Sequence, residues 1–281
     1  PPRSTLFPYT TLFRSNDELG DQTLEMDCLR ELGNIANRLS EYDEASFHYQ
    51  KCLEIARSLG DKRNESAVLN NWASVDWDLG NLDIAEKRYR EALGLYRECG
   101  NRTGEAKALN NLSNVSADRG DLEKALSYGM DALSIHKDMG NIRGQSAVFN
   151  NLGATYQTMK QYDAARGYYL KALEFYRLME NNQAIAETLA NLSLLDCAQG
   201  RLEEGRTAAR EAIELSEAAG DIINLCNAYY YLGRIDVADG YLEGAESSFL
   251  KAYDLRQSVP HPGRLLEIEV ELMNIAYQRR E

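Results

Sequence analysis

Asparagine recurs along this chain in a pattern that could do hydrogen-bond chemistry. Asn70 and Asn71, then Asn110, Asn111 and Asn114, then Asn150 and Asn151, then Asn191 fall at matching places in successive segments. In a later segment those places hold Asn227, Tyr230, Tyr231 and Arg234. Asparagine is a poor helix former, so its repetition in helical sequence needs a cause. A primary amide both donates and accepts. That suits two tasks: holding the backbone of an extended peptide, or bonding neighbouring helices to each other. The residues alone leave both open, with Asn71, Asn111, Asn151 and Asn191 the best placed for a shared role. Arg30, Arg38, Lys107 and Arg234 add positive points that would suit a ligand carboxylate. More often such cations are simply solvated helix charges.

No catalytic constellation accompanies them. The chain has no GxxxxGK phosphate loop and no GxGxxG turn. His48, His136 and His261 lie in different segments, without the HExxH spacing of a zinc site. The five cysteines include no CxxC pair, which argues against a disulfide scaffold or a zinc ribbon. Cys52 sits in a column of small residues. Cys28, Cys197 and Cys226 have no histidine nearby in sequence, so burial is expected of them rather than catalysis. The acidic residues are expected on helix exteriors. No enzyme, cofactor or metal site is therefore expected. Lys and Arg total 31 against 44 Asp and Glu, a formal charge of −13, which excludes a phosphate-backbone partner. No apolar run approaches the roughly 18 residues of a membrane span. The cysteine usage fits a reducing compartment, so a cytoplasmic location is expected.

The elements that must position the asparagines repeat every forty residues. Leu32, Trp72, Leu112, Leu152, Leu192, Leu232 and Leu272 are spaced by 40, as are Ala45, Ala85, Ala125, Ala165, Gly205 and Ala245. A fixed period of this size means a stacked array. Within a unit the apolar spacing is helical: Leu82, Ala85, Tyr89, Ala92, Leu93 and Tyr96 follow one face. Gly60-Asp61, Gly100-Asn101, Gly140-Asn141 and Gly220-Asp221 read as a left-handed C′ glycine followed by an N-cap. Gly80, Gly120, Gly200 and Gly240 mark a second turn inside each unit. The expected fold is all-α: six antiparallel helix pairs plus one terminal helix, from about 264 to 280. The unit boundaries fall at 20–60, 61–100, 101–140, 141–180, 181–220 and 221–260, with a partial unit at 261–281. The Ala columns and facing residues such as Trp72 and Tyr89 are expected to be core, with the asparagine stripe off it.

Residues 1–15, PPRSTLFPYTTLFRS, translate without mismatch from the adapter oligonucleotide of short-read sequencing. They are expected to be non-native. Without Arg3 and Arg14 the charge is −15. Residues 16–19 align with the end of an earlier unit, and Leu272 to Ala276 align with Leu32 to Ala36, so both ends are expected to be cut. The N-terminal cut is expected to bare Leu24 and Cys28. Pro260 and Pro262 make the last junction irregular.

The columns resemble the tetratricopeptide repeat. Its motif is met by Leu152-Gly153, Ala165, Tyr169 and Ala172, and by Leu32-Gly33, Ala45, Tyr49 and Cys52. The unit here is 40 residues rather than the usual 34. The aromatic expected three residues after the motif glycine is replaced by Asp76, Ser116, Asp196 and Asp236. This longer variety, with its LNNL sequence, is similar to repeats of kinesin light chains and bacterial regulators. The resemblance implies a right-handed superhelical solenoid whose first helices line a concave groove, with the asparagine stripe on that side. It implies a protein–protein interaction scaffold taking a peptide or helix of a partner, in a piece of a bacterial regulatory or signalling protein. The rival expectation is the sensor or docking region of a larger enzyme such as a kinase, nucleotide cyclase or peptidase.

Overall fold

A computed structural model describes residues 22–257 and 265–278. Residues 1–15, the stump at 16–19, Pro260, Pro262 and His261 lie outside the described residues. The chain divides into two compact units, 1–140 and 141–281. The first holds α1 (Gln22–Arg38), α2 (Tyr42–Leu59), α3 (Lys62–Asp78), α4 (Leu82–Glu98), α5 (Arg102–Asp118) and α6 (Leu122–Asp138). The second holds α7 (Ile142–Thr158), α8 (Tyr162–Leu178), α9 (Asn182–Ala198), α10 (Leu202–Ala219), α11 (Ile222–Ala238), α12 (Leu242–Gln257) and α13 (Leu265–Gln278). Among the described residues there is no strand. In each unit consecutive helices pair, odd with even, and successive pairs stack. The last helix, α13, packs on α12.

Local sequence explains where each helix stops. Between pairs, Gly60, Gly100, Gly140 and Gly220 have φ of 63–66°, the left-handed region that glycine enters without a Cβ penalty. The next residue caps the following helix. Asp61 accepts from the Asn64 N–H at 3.0 Å, Asn101 from Gly104 at 2.9 Å, Asn141 from Gly144 at 2.9 Å and Asp221 from Asn224 at 3.1 Å. Asn181 does the same for Ala184 at 3.2 Å, although Glu180 rather than glycine precedes it, at φ 52°. Inside the pairs the turn is closed by a bond back across the helix end, for example Asn81 N–H to the Asp76 carbonyl at 2.8 Å. Ser40 and Lys160 hold the same left-handed turn without glycine, at φ 60° and 59°.

The columns are core, as the spacing predicts. Ala45, Ala85, Ala125, Ala165 and Ala245 are fully buried, as are Tyr89 and Phe249. Small residues let two helices approach, and a facing large side chain fills the gap. Cys52 donates to the Met26 carbonyl at 3.2 Å, and burial pushes its thiol up to about 12. Such a thiol is inert.

Four expectations need correction. Trp72 is half-buried, because its ring is covered by the Arg88 guanidinium at 3.6 Å from the ring centre and its Nε1 donates to Ser46 at 3.2 Å. Cys28 is buried, while Leu24 is exposed. Asn70 and Asn150 lie in the buried interior rather than off it. The acidic residues are not all outside: Asp76, Glu105, Asp196 and Asp236 are buried. Three of these stand where the motif's aromatic would be, and each is met by arginine: Asp76 by Arg88, Asp196 by Arg166 and Arg201, Asp236 by Arg206. A buried carboxylate persists only when paired in this way. Burial raises the pKa of Asp76 and of Asp236, and their arginines oppose the rise.

Candidate functional site

In the first unit the amides form a ladder across successive first helices. Asn71 on α3 donates to Asn34 Oδ1 on α1 at 2.9 Å, and Tyr49 of α2 donates to the same oxygen at 2.8 Å. Lys107 on α5 reaches Asn71 Oδ1 at 3.4 Å. Deeper in, Asn111 donates to Asn70 Oδ1 at 3.2 Å. Asn110 is half-buried beside it. Asn114 is half-buried.

The outer part of the ladder borders a cleft of about 360 Å³ lined by Glu31, Asn34, Asn37, Arg38, Tyr49, Asn71, Ser74 and Lys107. Ser74 is hydrogen-bonded to the Tyr89 hydroxyl at 2.9 Å. Asn37 Oδ1 is buried and has no hydrogen-bond partner among the described residues. An unsatisfied buried acceptor costs about 1–3 kcal/mol. Lys107 keeps an open surface, yet the protein mass around its ammonium strips solvation and lowers its pKa. Burial likewise drives the Tyr49 hydroxyl well above its ordinary value, so it stays a neutral donor.

In the second unit the stripe is put together differently. Asn150 is buried, accepts from Thr188 at 3.3 Å and donates to Glu187 at 3.5 Å. Glu187 falls two repeats on from Lys107 and carries the opposite charge. Its surface too is open, and crowding by protein raises its carboxyl while the Asn150 amide opposes this. Asn151 and Asn191 are half-buried. Tyr230 and Tyr231 are buried with ring centres 5.7 Å apart, and Tyr230 packs 5.6 Å from Phe249. Arg234 is exposed, donates to the Tyr230 hydroxyl at 3.4 Å and pairs with Glu271 at 3.4 Å.

The structure therefore joins Asn71 to Asn34 and Lys107, joins Asn111 to Asn70 in a separate bond, and places Asn70, Asn150, Tyr230 and Tyr231 inside the stack. Asn71, Asn111, Asn114, Asn151 and Asn191 retain accessible surface. Two amides of the cleft, Asn34 and Asn37, were not among the sequence candidates. Asn34 shares the column of Ser74, Asn114 and Arg234, so a signal was present. Asn37 shares its column with Trp77, Ala117 and Gln157, so repetition could not reveal it. Among the described residues no group of three or more His, Cys, Asp or Glu is placed to hold a metal, and no described helix is long and apolar enough to cross a membrane.

A tetratricopeptide repeat family model matches residues 64–138 and 144–218, and a second matches 27–59. No curated protein matches. Among solved structures, the chain is similar to a Rap protein complexed with Competence and Sporulation Factor: 17% identity, 96% of this chain, 80% of that one, TM-score 0.69. It is similar to aspartyl phosphate phosphatase F from Bacillus subtilis at 15% identity, covering 100% and 76%, TM-score 0.70. It is also similar to a signal transduction ATPase with a tetratricopeptide repeat sensor from Pyrococcus horikoshii at 20% identity. That match covers 95% of this chain but 41% of that one, with TM-score 0.73. At these identities the likeness is one of fold.

Proposed function

The chain belongs to the tetratricopeptide repeat family, and from that premise we propose that it is an interaction scaffold whose first helices hold an extended peptide of a protein partner. The observation that carries this reading is the Asn37 oxygen, a buried acceptor left without a donor among the described residues, at the edge of a polar cleft. A peptide N–H supplies the missing donor. Asn71 and Lys107 then face the ligand's carbonyls or a carboxylate. Asn114 and Asn191, which keep accessible surface, extend the same stripe in their own units. The role is one of binding, in a bacterial regulatory or signalling setting; the likeness in fold to a Rap protein and a Bacillus subtilis phosphatase supports that setting.

The test is selection of a peptide from a displayed random library, followed by titration against wild type, Asn37→Ala and Asn71→Ala. At least tenfold weakening by each, about 1.4 kcal/mol, with a melting temperature unchanged or raised for Asn37→Ala, supports the reading. Equal affinity in both variants defeats it. A second reading, the sensor region of a larger enzyme, is favoured by the likeness to the sensor-bearing ATPase, of which this chain spans 41%. Its test is whether peptide binding changes the activity of whatever domain the complete gene encodes beside the array.

A further inference from the structure

The second helices of the second unit carry another surface, separate from the amide stripe. It originates at one repeat position. His48, Arg88, Tyr128 and Tyr168 occupy that position in the first four pairs, and Ala208 occupies it in the fifth. In two of these pairs the large residue covers its own first helix. Arg88 lies over Trp72, and Tyr168 stacks on Tyr156 with ring centres 5.3 Å apart. Ala208 is too short to cover anything. Leu189 and Leu192 of α9 are left as the floor of a cleft of about 380 Å³ between α8 and α10.

The cleft continues along α8. Leu170 and Leu173 wall it, and both also line an adjoining depression of about 470 Å³ that ends at Leu178. Leu170 is 43% and Leu178 71% exposed, so this is an apolar seam open to solvent. From Arg166 to Leu178 it follows thirteen residues of helix, about 18 Å.

The rim is acidic. Glu203, Glu204 and Glu211 stand on α10, and Glu174 on α8. The two arginines present are already committed: Arg166 to Asp196 at 3.2 Å and Arg177 to Glu211 at 2.7 Å. Glu174 and Glu204 have no ion-pair partner among the described residues. We infer that this seam docks an amphipathic helix of about twelve residues in a partner protein, its leucine-like side chains seated over Leu189 and Leu192 and its lysines or arginines facing Glu174 and Glu204. An apolar floor alone would accept any hydrophobic segment. The uncompensated carboxylates select a basic one, since opposite charge across an interface favours the match and like charge penalises the alternative.

The probe is a labelled synthetic peptide of about fourteen residues with leucine at i, i+4, i+7 and i+11 and lysine elsewhere. An isomer with glutamate for lysine serves as control. Anisotropy titration should show the lysine peptide binding wild type, and the glutamate peptide failing to bind at the same concentrations. Ala208→Tyr, which puts in the residue of the two preceding pairs, should weaken binding at least tenfold. Glu174→Lys with Glu204→Lys should do the same. Asn37→Ala should leave it unchanged, which separates this surface from the cleft of the first unit. Amide chemical-shift mapping keeps the inference testable should Ala208→Tyr misfold: perturbations at residues 170–178 and 204–208 support it. Undiminished affinity in the filled variant, equal binding of the two peptides, or shifts centred on Asn71 and Asn111 would overturn it.

Discussion

Gly153 lies so close to the ring of Tyr169 that a methyl group there would stand 2.7 Å from the ring's Cδ1. Gly33 meets Tyr49 and Gly233 meets Phe249 in the same way. Where the first helix carries Ser113 or Ser193 instead, the facing position holds Gly129 or Ala209. Size is therefore traded across five of the six crossings, the exception being Ala73 opposite Tyr89. Gly→Ala ordinarily favours a helix by about 1 kcal/mol, while overpacking costs about 1–3 kcal/mol. Gly153→Ala should therefore destabilise the protein by about 1 kcal/mol in urea unfolding. In a Tyr169→Ala background, with the ring gone, the same change should stabilise it by about 1 kcal/mol. An unchanged sign would show that the ring does not set the limit.

Arg206 and Asp236 form a buried pair where the family's aromatic would stand. Removing the cation alone, in Arg206→Met, should cost about 3–5 kcal/mol, because Asp236 is left charged and unpaired. Arg206→Met combined with Asp236→Phe should recover most of that loss. Chemical denaturation of both variants checks it; a double variant as weak as the single one refutes the exchange.

Lys160 and Glu180 sit at φ 59° and 52°, where a Cβ costs about 1–2 kcal/mol. Glycine gives back part of this through its freer unfolded chain. Lys160→Gly and Glu180→Gly should each stabilise by about 0.5–1 kcal/mol, and Gly200→Lys, in the equivalent turn, should destabilise by a similar amount.

Burial lowers the pKa of His136 below its ordinary 6.5. The folded state thus keeps the imidazole neutral while the unfolded chain takes up a proton. Stability falls as pH drops through about 6.5 toward the folded value. His48 behaves likewise, with Glu44 opposing the effect of burial. Glu105 acts at lower pH. Its burial would raise the pKa, but Arg97 and Arg102 hold it below normal, so its contribution is lost only as pH falls through that depressed value. The melting temperature should therefore decline between about pH 7.5 and 5.5. His136→Tyr, the residue of the equivalent positions 96 and 176, should shrink that slope without abolishing it. A slope identical to wild type would mean that His136 does not titrate differently on folding.

What the sequence determined by itself was local. The forty-residue period, the helix faces, the left-handed glycines and the Asp or Asn caps depend on residues within one turn of each other, so order along the chain is enough to read them. The small and aromatic columns repeat, so the core was legible too. What the tertiary structure decided depends on which side chains meet across helices. Asn70 is interior and Asn71 accessible although they are neighbours, because a helix turns about 100° between them. Arg166 and Arg206 each reach an aspartate thirty residues on, whereas Arg88 reaches one twelve residues back. Spacing alone offers both pairings. The unpartnered oxygen of Asn37 and the open floor beneath Ala208 are of the same kind. Each exists because a group that could have met the side chain is absent from the opposite helix, and a single strand of sequence carries no record of what stands opposite.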